Sequence, residues 1–231
     1  MKAIRFVAFG LALALSAGPA SAQGRGGFGF GGPGGRGGGG MSGLVQMEEV
    51  QKELKLDAAQ VDLLKQLGSE MREKMRAMFQ GGGQGGNREE MQAKMRAMST
   101  ENDKKVAEIL DKNQIGRLKQ LSYQRQGPRA LAEKEVQTAL KLSAAQTSQV
   151  DGILKAENDE RQKMFQGADF RNMTDEARRA MFQKMQDMTK VNSDKLTAIL
   201  TEPQKAQWKT MLGAPFTFPE GGPGRRRNNN N

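Results

Sequence analysis

Apolar residues return at three- and four-residue steps along most of the chain, the period of one helix face. Val61, Leu64, Met71, Met75 and Met78, with Gly68 in the gap, predict a helix over 58–79. Gly81-Gly82-Gly83-Gln84-Gly85-Gly86 breaks it, and Met91, Met95, Met98, Val106 and Ile109 predict a return helix over 88–110, so the two should form an antiparallel hairpin. A shorter helix bearing Ile115, Leu118 and Leu121 follows and ends near Gly127-Pro128. The plan then recurs: a helix over 144–165, a loop holding Gly167 and Phe170, a return helix over 175–200, and a short helix with Trp208, Met211 and Leu212. Gly213-Ala214-Pro215 ends that helix, after which Phe216 and Phe218 can pack back, and 129–141 is expected to join the halves as helix. One stretch resists burial: Ala156-Glu157-Asn158-Asp159-Glu160-Arg161-Gln162 is too polar for a dry core and is expected to meet water or a partner.

The helix starts share a box. It reads Leu56-Asp57-Ala58-Ala59-Gln60, Leu110-Asp111-Lys112-Asn113-Gln114, Leu142-Ser143-Ala144-Ala145-Gln146 and Leu200-Thr201-Glu202-Pro203-Gln204. Asp, Ser or Thr at an N-cap accepts from an unpaired backbone N–H, and Gln three residues on reaches back to the cap's own N–H. Each cap is worth about 1 kcal/mol. On this reading the box is local architecture with no binding or catalytic role.

The boxes belong to an internal repeat. Val50 to Leu56 aligns with Val136 to Leu142 at a shift of 86, as does Met78-Phe79-Gln80 with Met164-Phe165-Gln166. Past the loop the shift is 90, relating Met91, Met95 and Met98 to Met181, Met185 and Met188. The expected division is a leader over 1–22, a disordered Gly-rich linker over 23–43, helical units over 44–128 and 129–219, and a disordered Arg/Asn tail over 220–231.

Composition narrows the class. Aromatic residues are 5% of the chain, so the core must be aliphatic and Met-built, which suits helices sharing narrow seams; the fold class is all-α. Cysteine and histidine are absent, which removes disulfides, thiolate nucleophiles, imidazole bases and the usual zinc ligands. The formal charge of +10 thins when divided. Lys2 and Arg5 carry two, Arg25 and Arg36 two, and Arg225, Arg226 and Arg227 against Glu220 two, leaving four for the helical body. A basic start, an apolar run from Phe6 to Ala17 and the Ala20-Ser21-Ala22 site read as a secretory signal peptide cleaved between Ala22 and Gln23. That run is too short for a bilayer core of ~30 Å, so a periplasmic or otherwise secreted product without a transmembrane segment is expected. Gly24 to Gly40 cannot bury enough apolar surface to order itself and reads as a tether. Its arginines, with those of the tail, offer weak contact to an anionic envelope surface; nucleic acid is not expected to meet an exported chain.

Candidate chemistry is sparse. MxxKMxxM at 71–78, 91–98 and 181–188 stacks three thioethers on a helix stripe, a soft donor set suited to copper(I), yet the same spacing is the packing seam. Glu48-Glu49, Glu89-Glu90 and Asp159-Glu160 are adjacent on helices and diverge, so they read as solvated charge. The glycine runs lack the GxxxxGK[ST] and GxGxxG patterns of phosphate loops. No catalytic residue, metal ligand or cofactor is assigned, and the chain reads as a non-enzyme.

The boxes, most fully Ile199 to Gln204, and the segment Glu53 to Gln60 resemble the Spy/CpxP family of extracytoplasmic chaperones and envelope-stress proteins, whose signature is LTxxQ. The resemblance spans Val50 to Leu212. Asp57, Asp111 and Ser143 replace the family's Thr but still cap, and two units stand where the family usually has one. It implies an exported all-helical protein that binds unfolded or misfolded polypeptides without ATP, either as a monomer with a pseudo-dimeric body or as a homodimer. Met78, Phe79, Met91, Met95, Met164 and Phe165 near the hairpin tips are the candidate contacts. The alternatives are an extracytoplasmic sensor or Met-rich metal-binding protein, and a basic envelope-binding scaffold.

Overall fold

The computed structural model describes residues 40–81, 88–166 and 172–219, which are helix and turn with no strand among them. The expected cleavage at Ala22 and Gln23, the tether before Gly40 and the Arg/Asn tail lie outside the described residues. Helix α1 (Met41–Leu44) starts three residues before the expected end of the linker, because Asp103 accepts from the Ser42 N–H at 2.9 Å and Leu44 and Val45 sink into the core. Helix α2 (Glu48–Glu53) follows, and Gln60 and Asp57 open α3 (Ala58–Gly81). Helix α4 (Arg88–Ile109) returns beside α3. Lys74 pairs with Glu101 at 3.2 Å and Lys105 with Glu70 at 3.7 Å, so four residues back on α3 match four forward on α4, an antiparallel register. The hydrogen bond and charge of Lys74, with Lys105 alongside, hold Glu101 below the usual carboxylate range. Gly68 fills the gap in the α3 seam for a spatial reason: Gln46 donates to the Leu64 carbonyl at 2.7 Å, and its amide lies where a Cβ at 68 would stand.

Helix α5 (Lys112–Gln126) leads to a 3₁₀ turn (Gly127–Ala132) and α6 (Lys134–Ala139). The link expected as one helix over 129–141 is thus two pieces, broken at Glu133, whose backbone is extended. Helices α7 (Ala144–Phe165) and α8 (Asp175–Ala198) pack as a second pair, and α9 (Glu202–Leu212) closes the order. Thr174, missed as a cap in the sequence pattern, accepts from the Ala177 N–H at the start of α8.

Helices α2 and α6 end alike. Lys55 and Lys141 both take the left-handed conformation at φ 51, and the next residues, Leu56 and Leu142, bond back to the carbonyls of Gln51 and Gln137 at 3.0 Å. This six-to-one bond is the Schellman stop, normally built on glycine; at lysine the conformation costs about 1–2 kcal/mol. The stop aims each chain into its next box.

Two clusters form the interior. Leu44, Val45, Val50, Leu64, Val106, Leu118 and Leu121 centre the first, and Leu131, Val136, Leu140, Val150, Leu196 and Trp208 the second. Fully burying each such side chain contributes roughly 1.5–3 kcal/mol. Val50 and Val136, Leu64 and Val150, Val106 and Leu196, and Leu118 and Trp208 occupy matching places at the 86- and 90-residue shifts. Helix α5 serves both clusters: Leu118 and Leu121 lie in the first and Tyr123 in the second, its ring 6.0 Å from that of Trp208. Burial, and then the charges of Glu135 and Glu133, push the Tyr123 phenol up to about 12. The described residues all fall in one compact unit.

The polar stretch at 156–162 does not behave as a solvated segment throughout. Glu157 is 1% exposed and holds two guanidinium groups, those of Arg129 from the 3₁₀ turn and Arg161 one helical turn on. Arg129 donates to both carboxylate oxygens, through Nε at 3.2 Å and through Nη2, and Arg161 donates at 3.2 Å. The polarity marks an ion triad built round one buried carboxylate. Eighty-six positions earlier in the sequence stand Gly43, Met71 and Met75, a glycine and two methionines.

Candidate functional site

The box residues are more than caps. Gln60 and Gln114 face each other, each amide donating to the other's oxygen at 2.8 and 3.0 Å. Gln60 Oε1 also accepts from the Asp57 N–H at 3.2 Å, and its Nε2 donates to the Ile109 carbonyl at 3.1 Å. Gln114 Oε1 accepts from the Asp111 N–H at 2.9 Å, and its Nε2 donates to the Leu54 carbonyl at 3.4 Å. A primary amide has two donors and two acceptor lone pairs, and both side chains use all four.

The arrangement recurs at Gln146 and Gln204, whose amides exchange bonds at 2.7 and 3.2 Å. Their oxygens accept from the Ser143 and Thr201 N–H groups at 3.0 and 2.9 Å, and their nitrogens donate to the carbonyls of Ile199 and Leu140 at 2.9 and 3.2 Å. Leu110 and Leu200 are buried and Leu56 and Leu142 half-buried beneath these clasps, while Asp57, Asp111, Ser143 and Thr201 stay exposed. Each clasp ties two helix starts and the ends of two other segments into one knot. The reading of the box as a local cap is therefore too small.

The candidate contact residues lie far from the clasps, at the outer ends of the helix pairs. Met78 closes α3 and Met91 opens α4, both half-buried, and Met95 is 37% exposed. Phe79 lies on the last turn of α3, its side chain outside the described residues. Met164 and Phe165 end α7, half-buried. The structure thus brings Met78, Met91 and Met95 to one hairpin and Met164 and Phe165 to the other. Over the outer turns, 69–100 and 155–190, the buried side chains among the described residues are Met98, Met185 and Glu157 alone. The thioether stripes are therefore divided, with Met98 and Met185 in the interior and Met71, Met75, Met78, Met91, Met181 and Met188 part-covered. Arg76, Arg96, Arg179 and Lys184 stand exposed among them with no carboxylate partner among the described residues.

Nearer the clasp of Gln146, Gln149, Gly152, Ile153, Lys195, Ala198 and Ile199 line a groove of about 490 Å³ between α7 and α8. It is open along its length, unlike the enclosed clefts that hold small molecules. No helix among the described residues is long and apolar enough to cross a membrane.

Sequence reasoning missed Gln124. On α5, its Nε2 donates to the Leu212 and Ala214 carbonyls at 2.6 and 2.7 Å, and its Oε1 accepts from the Phe216 N–H at 2.9 Å. These bonds lay residues 213–218 over the first cluster, where Phe216 and Phe218 pack edge to face at 4.9 Å. No local pattern announces such a contact, since Gln124 is 88 to 92 residues from its partners. No family model matches this chain, and no curated protein or solved structure matches it significantly.

Proposed function

We propose that this is an exported, non-enzymatic holder of unfolded or misfolded polypeptides, working without ATP in the manner of the Spy/CpxP proteins it resembles, with two tandem hairpin units supplied by one chain. The observation that carries this reading is the contrast along each hairpin. The inner ends are locked by the clasps and the aliphatic clusters, while the outer ends leave methionines part-covered beside cations that have no carboxylate partner among the described residues. Flexible thioethers adapt to varied apolar side chains, and scattered positive charge attracts acidic segments without a fixed partner geometry. Such a surface suits loose, reversible contact with many chains. The recurrence of both clasps at the repeat spacing supports the two-unit reading.

The test is light scattering of a chemically unfolded model client diluted into buffer. At equimolar mature protein, aggregation is expected to fall by at least half with no nucleotide present. Undiminished scattering at a several-fold excess would rule the reading out.

A further inference from the structure

The segment 213–218 is bound to the rest of the protein as an extended peptide is bound to a receptor. Two of the Gln124 bonds go to main-chain atoms of the segment, the Ala214 carbonyl and the Phe216 N–H, and the third to the Leu212 carbonyl at the end of α9, so all three ignore the identity of the side chains. Selectivity comes from the two rings: Phe216 and Phe218, two residues apart, both pack on the first cluster, and the Arg125 guanidinium lies 5.8 Å from the centre of the Phe218 ring. A cation over an aromatic face at that range favours an aromatic residue over an aliphatic one of similar size. The segment starts at Gly213, whose φ of 64 turns the chain sharply out of α9, and a Cβ there would also meet the Gln120 amide. Phe216 and Phe218 remain only half-buried, and the Ala214, Pro215 and Thr217 side chains face solvent, so the strap is a shallow occupant held by few groups.

We propose that the Gln124–Arg125 face of α5 is a docking site for extended polypeptide segments carrying aromatic residues two positions apart, and that residues 213–218 are its resident, displaceable occupant. The inference deepens the polypeptide-holding reading by naming a second site and its ligand class, and it rests on that reading for its biological use. Aromatic pairs at this spacing are what an unfolded chain exposes when a strand fails to form, since alternate strand residues share one face. Release of the strap would uncover the apolar surface that Phe216 and Phe218 now shield.

The probe is a fluorescent peptide with the sequence of residues 214–219, Ala-Pro-Phe-Thr-Phe-Pro, and the readout is fluorescence anisotropy with the full chain. Phe216→Ala with Phe218→Ala empties the site without touching the face beneath. This variant is expected to bind the peptide at least tenfold more tightly than the wild type, whose own strap competes. Binding should be lost when both phenylalanines of the peptide are alanine, and should weaken at least tenfold when Gln124→Ala is added to the variant. Should the double variant not fold by circular dichroism, Gly213→Ala, which loosens the strap at its hinge and leaves both rings in place, must show the same direction. Equal binding by wild type and strap variants, or no binding by a folded variant, overturns the site. Client scattering with the wild type, run alongside, separates the two ideas. Suppression without peptide binding leaves the holding reading and removes this site; peptide binding without suppression keeps the site and removes the reading.

Discussion

Gln114→Glu is expected to destabilise the protein by about 3 kcal/mol, even though it exchanges near-isosteric side chains on a half-exposed position. Glutamate can still accept from the Asp111 N–H, so as a cap it loses nothing. What it loses is both donors: the bonds to the Leu54 carbonyl and to Gln60 Oε1 vanish, and a carboxylate oxygen then faces the Gln60 oxygen. For a chain of this size the loss corresponds to a fall in melting temperature of about 6–12 °C. A cap acting alone predicts a change near zero, so thermal unfolding followed by circular dichroism distinguishes the two accounts. Replacing Gln60 and Gln114 together by leucine should cost less than the sum of the single replacements, by about 1 kcal/mol, because each single change orphans a partner that the double change removes.

The second large effect concerns Glu157. Glu157→Ala removes the acid from between Arg129 and Arg161 and leaves two part-buried cations facing each other, with an expected cost of about 2–3 kcal/mol. The figure sits below that for a wholly buried pair because the arginine side chains are 33% and 22% exposed and water can reach them. The triple change Arg129→Gly, Glu157→Met and Arg161→Met, which installs the residues found 86 positions earlier, should lie within about 1 kcal/mol of the wild type, since an apolar replacement of a whole ion cluster avoids its desolvation. Urea unfolding of the single and triple variants checks both. A triple variant as damaged as the single one would mean that the triad contributes net stability and does not simply fill a space that methionine could fill.

Much of the architecture is legible in the residue order because it is written in local signals. The helix bounds follow from caps such as Asp111 and Ser143, from breakers such as Gly213, and from apolar spacing, and the structure places α7 over the residues expected. What escaped depends on contacts between distant residues. A capping box is satisfied by Glu or Gln, yet all four boxes carry Gln, which is the one trace in the chain that the amide's donors are in use. The triad was hidden because Arg129 approaches from a turn 28 residues away, and polarity without a known partner reads as exposure. The Met stripes were ambiguous for a different reason. Their spacing serves packing and contact alike, and burial separates Met98 and Met185 from the rest only once the neighbouring helix is in place.

These features make one physical picture: rigid inner ends, locked by amide clasps, carrying outer turns whose apolar side chains are only half covered. Sites that bind by local adaptation are drawn from the less stable parts of a fold, and the outer turns have few buried contacts to lose. The most direct measurement is amide hydrogen exchange of the full chain with and without an unfolded client held below its aggregation threshold. Added protection is predicted over the outer turns, around Met71 to Met98 and Met164 to Met188, with little change at the four boxes. Protection confined to the boxes and the inner helix ends, or none anywhere with client bound, would contradict the account.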